Sequence, residues 1–429
     1  MASAGGNSEN ALAGEKIAGL SLKGILTMGQ SAMASKRPQI AVVANIYKKY
    51  LHTQHIIDRI LDGYNFGGVF HRPELDVVSI FVEQRGEGDL VPERVERHPN
   101  MKDYPTIGQA LTRGTGQLAV DGVIYIGEQG TYPQNEKGQT EYPRYRFFEE
   151  IVDVFRASRR SVPVYIDKHL SWNWTWAKEM YDTARQMGFP LMAGSSLPVT
   201  WRIPSIDMPL GVTVREAMGL AYGGLDSYDI HALETIQCMV ERRKGGETGV
   251  AWLQAYRGEN FWKAHEQGVW SQALFKACLC RSHTLTPGRD NFTDVYPTLQ
   301  ELKAIVRDPV AYHYQHTDGM RCTMILMNNL VVDFLFSASI EGQAKPLSTL
   351  MYLSRRTAGE TLESYFDPLA HYIEQMMLTG KEPYPVERTL LTTGLLCAGI
   401  DSLFQGQQRL VTPQLDIHYQ PGASILRRT

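Results

Sequence analysis

The run Val162-Pro163-Val164-Tyr165-Ile166-Asp167-Lys168-His169-Leu170 puts an acid, an amine and an imidazole directly behind a short apolar, β-branched segment. Such a segment reads as a buried strand. In open α/β sheets, ligands bind beyond the carboxyl ends of the strands. Asp167, Lys168 and His169 are therefore expected to face a ligand. An ammonium in that position would stabilise negative charge developing on an oxygen. The plain alternative for Lys168 is a salt bridge to Asp167 or another acid.

A second group lies in Gly223-Gly224-Leu225-Asp226-Ser227-Tyr228-Asp229-Ile230-His231, a glycine turn opening a helix. A neutral imidazole near pH 7 suits removal of a hydroxyl proton, so His231 is the candidate base. Core packing is its alternative. Asp229 and Asp226 either orient the ring or shape the turn and cap the helix. After another strand, Gly127-Glu128-Gln129-Gly130-Thr131-Tyr132-Pro133 brings Glu128 and Tyr132 toward the same crevice, or forms a polar loop. Ser195 or Ser196 would bind a ligand hydroxyl or cap backbone; the Gly-x-Ser-x-Gly frame of acyl chemistry is absent. No metal is expected. An alternative reading joins His169, His231 and Glu128, with Asp167 and Glu234, as a zinc or manganese site. Trp172, Trp174 and Trp176 read as packing around a helix start, with stacking on a sugar as the alternative. Arg242, Arg243 and Glu247 read as solvated loop.

These groups need elements to position them. Gln39 to Tyr47 and Leu75 to Glu83 read as strands around a helix, Thr53 to Gly63, whose Ile56, Ile57, Ile60 and Leu61 share a face. A short helix at Thr106 to Leu111, a strand at Asp121 to Gly127 and a helix at Tyr145 to Ala157 follow. A strand at Val162 to Ile166, a helix at Trp172 to Met187 and a strand at Pro190 to Ala193 complete the alternation. It predicts a doubly wound parallel sheet over residues 38–205. Residues 206–429 change character. Strands at Val212 to Tyr222, Gly249 to Tyr256, Arg321 to Met327, Val331 to Ser339 and Ser348 to Leu353 combine with helices at His231 to Arg243 and Phe261 to Cys280. This predicts an α+β domain with a largely antiparallel sheet. The final helix, Pro385 to Leu403, and strand, Leu410 to Tyr419, are expected to pack back on the first domain.

The 429 residues are 43% hydrophobic and 21% charged, with a formal net charge of -3. That is ordinary for a soluble globular protein and gives no footprint for nucleic acid. Five cysteines without metal-type spacing are expected to be reduced and buried. No apolar run is long enough for a membrane span. Residues 1–37 are rich in Ala, Gly and Ser, and read as a mobile arm or a remnant of processing. A cytoplasmic location is the expectation.

Together the motifs resemble the Gfo/Idh/MocA family, relatives of glucose–fructose oxidoreductase and inositol dehydrogenase, over Gln39 to Tyr419. Asp167-Lys168-His169 stands where the family has Glu-Lys-Pro. Gly223 to His231 stands where it has a glycine turn leading to Asp-x-x-x-His. Pro383-Tyr384-Pro385-Val386-Glu387-Arg388 opens the last long helix as a family segment does, and Val411-Thr412-Pro413-Gln414-Leu415 resembles the closing strand. The resemblance implies a Rossmann-like first domain, NAD or NADP as cofactor, and a small carbohydrate-like substrate. It implies that Lys168 holds substrate and cofactor near the reacting carbon and that His231 is the general base. It also implies a homo-oligomer through the open face of the second sheet, for which Val331 to Phe336 and Leu350 to Leu353 are suited.

The chain departs from that pattern after its first strand. Ala44-Asn45-Ile46-Tyr47-Lys48-Lys49-Tyr50 contains no Gly-x-Gly-x-x-Gly. The expected nucleotide contacts are Asn45 and Lys48 near phosphate, Glu83 at a ribose, Arg85 at a 2′-phosphate, and Glu128. Alternatively, Tyr47 and Tyr50 fill the phosphate site. The leading expectation is a nicotinamide-dependent oxidoreductase acting on a sugar, polyol or glycoside hydroxyl. The alternative is a lyase, epimerase or glycosidase for (keto)sugars on the same scaffold, with or without metal. A non-catalytic sugar-binding protein is the third reading.

Overall fold

Strands rich in Val and Ile, most of them separated by helices, pair in parallel because a right-handed crossover returns each beside an earlier one. The computed structural model describes residues 36–285, 296–354 and 363–422. The expected arm over residues 1–37 lies almost wholly outside them. The first sheet comprises β1 (Gln39–Ile46), β2 (Asp76–Gln84), β3 (Lys102–Asp103), β4 (Gly122–Ile126), β5 (Val164–Asp167) and β6 (Leu191–Gly194), in the order β3-β2-β1-β4-β5-β6. All its pairings are parallel. The order reverses between β1 and β4, which opens a crevice at their carboxyl ends. Helix α1 (His52–Asp62) packs Ile56, Ile57 and Ile60 with Ile40, Val42 and Ala44 of β1. On the opposite face, α2 (Arg144–Ser158) packs Phe147, Ile151 and Phe155 with Ala41 and Val43, alongside α3 (Trp174–Met187).

The second sheet holds β7 (Arg202–Ile203), β8 (Val214–Ala221), β9 (Val250–Arg257), β10 (Val310–His316), β11 (Arg321–Leu326), β12 (Phe334–Ile340), β13 (Leu347–Met351) and β14 (Arg409–Val411). Its order is β14-β9-β10-β11-β8-β12-β13-β7. Neighbours are antiparallel except β8 and β11. Helix α4 (Asp229–Val240) covers the face toward the first sheet. The expected helix Phe261 to Cys280 is two, α5 (Glu259–Glu266) and α6 (Gln272–Leu279), with the Ser271 side chain capping the second. Strand β10 and helix α7 (Asp367–Thr379) lie outside the sequence expectation. The final helix α8 (Glu387–Phe404) packs on α3, α4 and β9. A Cβ at Gly394 would stand 2.2 Å from Leu415 and 2.8 Å from Trp174, so this close crossing needs glycine. The closing segment is β14, a single 3-10 turn at Pro413–Leu415, and a short strand His418–Tyr419, rather than one strand.

The expected open face of the second sheet is covered by the chain itself. Met218, Leu220, Ala311, Ile325, Leu335 and Leu350 pack under Phe261, Trp262, Trp270, Leu274, Phe275 and Leu279. Leu335 is fully buried in the single chain. Of the strands offered as a subunit interface, Val331, Phe334, Leu335, Phe336, Leu350 and Met351 are buried within the chain, while Val332 is exposed. Two further expectations change. Arg243 and Glu247 are a buried ion pair completed by His316 rather than solvated loop. Among the cysteines, Cys280 is exposed while the other four are buried.

The two sheets are tied at their junction by Glu234 of α4. Its carboxylate accepts the Ser195 backbone N–H at 2.8 Å and the Thr389 hydroxyl at 3.1 Å. Burial pushes its pKa up to about 7, against the pull of those donors. The folded chain therefore binds this proton more tightly than the unfolded chain. The resulting stability is full below a pH of about 4.5 and lost as pH rises through about 7. Glu234→Gln should remove that dependence: its melting temperature relative to the parent should rise from about pH 5 to about pH 8, and a pH-independent difference would refute the assignment. Trp270→Ala should cost about 3–5 kcal/mol by urea unfolding, because it empties the cluster covering the second sheet.

Candidate active site

At the carboxyl ends of β4 and β5, between the sheets, lies a cavity of about 240 Å³. The first sheet's side supplies His52, Glu128, Gln129, Lys168 and Ser196. The other side supplies Tyr222, Ser227, Tyr228, His231 and Phe334, with Tyr365 and Phe366 closing from the segment before α7. Lys168 and His231, far apart in sequence, thus line one cavity. A more open groove lined by Arg37, Arg72, Arg97 and His98 lies elsewhere. Its cations are largely paired, Arg37 with Asp76 at 2.8 Å and Arg97 with Asp62 at 2.7 Å. It is also far from the strand ends where α/β chemistry is done.

The ionic wall is built around Glu128. Lys168 Nζ donates to Glu128 Oε1 at 2.9 Å, and Arg144 ion-pairs with the other oxygen. Arg144 is fully buried and also donates to the carbonyls of Asp167 at 2.8 Å and His169 at 2.9 Å. It is the first residue of α2, so one guanidinium binds a helix start to two strand ends. Asp167 turns away from the cavity and holds His52 Nδ1 at 2.7 Å. Burial pushes the Asp167 carboxyl up, but His52, Lys168 and Arg144 more than offset this and hold it below the usual range. Lys168 has a left-handed backbone, φ 60, as do Gln129 and Asp226 nearby. Such conformations are uncommon for non-glycine residues and cluster at functional sites.

His231 stands on the aromatic side, edge-on to Tyr228 and Phe334 at ring-centroid distances of 5.7 and 5.8 Å. Burial, with Lys168, His52 and His169 nearby, drives its pKa well below 6.5. The ring is neutral at pH 7, and its Nδ1 is buried without a hydrogen-bond partner. Asp229 does not orient it. The Asp229 carboxylate accepts Ile230 N–H and Tyr312 O–H, each at 3.0 Å, and anchors the start of α4. Asp226 accepts Thr140 N–H at 2.7 Å, and burial raises its pKa to about 7.

Other expected ligand contacts have structural duties. His169 is fully buried outside the cavity lining. Ser195 is tied to Glu234 and to Leu197 N–H, and its neighbour Ser196 lines the cavity instead. Tyr132 donates to Glu83 at 2.6 Å, and Arg146 pairs with the same carboxylate. Arg85 pairs with Asp89 at 2.6 Å and Asp103 at 2.9 Å. Lys48 lies half exposed beside Gly88. Tyr47 does not fill a phosphate site: it is buried with its hydroxyl on Asp58, under Arg94. Among the described residues, no group of His, Cys, Asp and Glu gathers to hold a metal, so His169, His231 and Glu128 form no such site. Trp172 and Trp176 pack edge to face, as expected.

Arg144, His52, Gln129 and Tyr228 are site residues outside the sequence reading. Arg144 opens a predicted helix beside Tyr145, and a charge at the start of an otherwise aromatic helix face is the one signal that pointed to it.

No protein-family model matches the chain, and no curated protein matches it in sequence. Solved structures do match in fold. A myo-inositol dehydrogenase from Corynebacterium glutamicum is 11% identical, with 87% of this chain and 98% of that one covered at a TM-score of 0.51. GenD2 from gentamicin A biosynthesis, in complex with NAD, is 11% identical over 88% and 96% of the two chains, at 0.53. The myo-inositol dehydrogenase from Lactobacillus casei, in complex with NAD(H) and myo-inositol, is 11% identical over 90% and 99%, at 0.52. No helix among the described residues is long and apolar enough to cross a membrane. The six-stranded parallel sheet and the mostly antiparallel second sheet thus give this chain the fold of the Gfo/Idh/MocA-type dehydrogenases.

Proposed function

We propose that this chain is a nicotinamide-dependent oxidoreductase acting on a hydroxyl of a small polyol or sugar. The observation that carries the reading is that Lys168 and His231 line one cavity at the strand ends of a dehydrogenase fold. A similar fold has been solved with NAD(H) and myo-inositol together.

The chain's own groups divide the work. The His231 imidazole, neutral at pH 7, accepts the hydroxyl proton as the carbon is oxidised. An ammonium has three donors, and Lys168 commits one to Glu128, leaving others for the substrate oxygen. Its charge stabilises the alkoxide that develops there. Tyr228 and Phe334 present apolar ring surface to the C–H face of a polyol. The bound nicotinamide would supply the hydride acceptor. Residues for holding it are present. Helix α1 starts at the crevice with His52 N–H, and buried Asn45 has an Oδ1 without a partner, an acceptor suited to a ribose hydroxyl. Residues 38–205 would then carry the cofactor and Lys168, and residues 206–429 the base.

A second reading, a (keto)sugar lyase or epimerase, uses the same base and ammonium without a dinucleotide. One observation favours it: the His52 N–H already has an acceptor in Gln129.

Calorimetric titration with NAD, NADH and NADP, and a nicotinamide absorbance assay over a polyol panel, test the first reading. Binding of at least one nucleotide and turnover of a polyol are expected. Lys168→Met and His231→Asn should each lower kcat/KM by about 10²–10⁴ with unchanged circular dichroism. Absence of binding by every nicotinamide nucleotide would remove it in favour of the second.

A further inference from the structure

The crevice between β1 and β4 is bridged by the loop that follows β4. Gln129 Oε1 accepts the His52 N–H at 2.9 Å, at the first turn of the eleven-residue helix α1. The Gln129 carbonyl accepts Asn45 Nδ2 at 3.3 Å, from the end of β1. The other Asn45 side-chain atom, Oδ1, is buried and unpartnered in the same place. Further along, Gln84 at the end of β2 clasps Thr131 by both its N–H and its carbonyl, each at 2.9 Å. Gly130 permits this approach: its φ is +100, and a Cβ there would stand 2.8 Å from Gln84 Oε1. The loop therefore lies across the strand ends with the Gln129 carboxamide oxygen seated on a helix N-terminus.

That seat carries partial positive charge and favours an anion over a neutral amide. A carboxamide on rotatable bonds is a weak occupant, because its hydrogen bond only replaces one to water. We infer that Gln129 is a built-in surrogate for a phosphate, a specificity-determining residue that an incoming diphosphate group must displace from the α1 N-terminus. This deepens the nicotinamide reading and rests on it. It accounts for a dinucleotide-type crevice without a glycine turn: the seat is kept filled and dry until a stronger acceptor arrives.

The test is calorimetric titration of the full chain and two variants with NAD and, separately, with inorganic pyrophosphate. Gln129→Ala empties the seat and should bind both ligands about tenfold more tightly, because the competing closed state is lost. Gln129→Glu places a fixed negative charge there and should bind both more weakly than the parent. Equal affinities for the parent and Gln129→Ala would overturn the inference while leaving the nicotinamide reading standing. Tighter pyrophosphate binding by Gln129→Ala, with no NAD, NADH or NADP binding by any of the proteins, would uphold the surrogate role and remove the nicotinamide reading. No binding of pyrophosphate or of any nicotinamide nucleotide by Gln129→Ala would overturn both.

Discussion

The carboxylate of Glu128, held between Arg144 and Lys168, is the interaction on which the cavity depends. A charge removed from water is tolerated only when it is paired and its remaining lone pairs are filled. Glu128 is almost completely buried, and so are both of its partners. Arg144 can neutralise it only by sitting at the start of α2, where its other donors reach the carbonyls at the end of β5. Lys168 reaches it from a left-handed backbone conformation. Removing Glu128 leaves two buried cations without their counter-ion, typically costing 3–5 kcal/mol, whereas removing either cation leaves the carboxylate one partner. The arrangement is therefore fixed as a unit, and the Lys168 ammonium is fixed with it. The Asp167–His52 pair extends the stitching to α1.

Much of this was legible in the sequence, and the failures have physical causes. Periodicity found the parallel sheet because β-branched runs such as Gln39–Ile46 and Val164–Asp167 are buried on both faces and stand out from the helices between them. It passed over β10, whose seven residues interleave His313, Gln315 and His316 with apolar positions; those polar groups are absorbed by Thr323, Trp252 and Glu247 in the fold. Helix α7 had a readable stripe in Leu369, Ile373, Met376 and Met377.

For the cavity, residue type and strand-end position pointed to Lys168 and Glu128, and the glycine turn opening α4 pointed to His231. They did not separate ligand-facing from structural polar groups. Asp167, Asp229, Ser195 and Tyr132 have the right chemistry beside the right elements, yet each is taken by a partner distant in sequence: His52, Tyr312, Glu234 and Glu83. Spacing along a chain carries no information about such pairings. The expectation of an open face on the second sheet failed for a related reason. Alternating apolar strands state that both faces of the second sheet are covered, but not whether a second subunit or helices α5 and α6 of the same chain do the covering.

The two walls of the cavity differ in kind, and the difference follows from where each comes from. The wall at the parallel sheet is ionic because parallel strand ends and helix starts converge there, concentrating backbone dipoles and the charges that answer them. The opposite wall is aromatic because it is an edge of the second sheet's core: Tyr222, Tyr228 and Phe334 are within stacking distance of one another. His231 belongs to that wall. Its neutrality is a consequence of the packing around it, reinforced by the cationic charge across the cavity. A molecule seated between the walls meets charge on one side and ring faces on the other. That polarity matches a ring or chain bearing hydroxyls along its edge and C–H bonds on its face, and it matches poorly a ligand that is charged or apolar throughout.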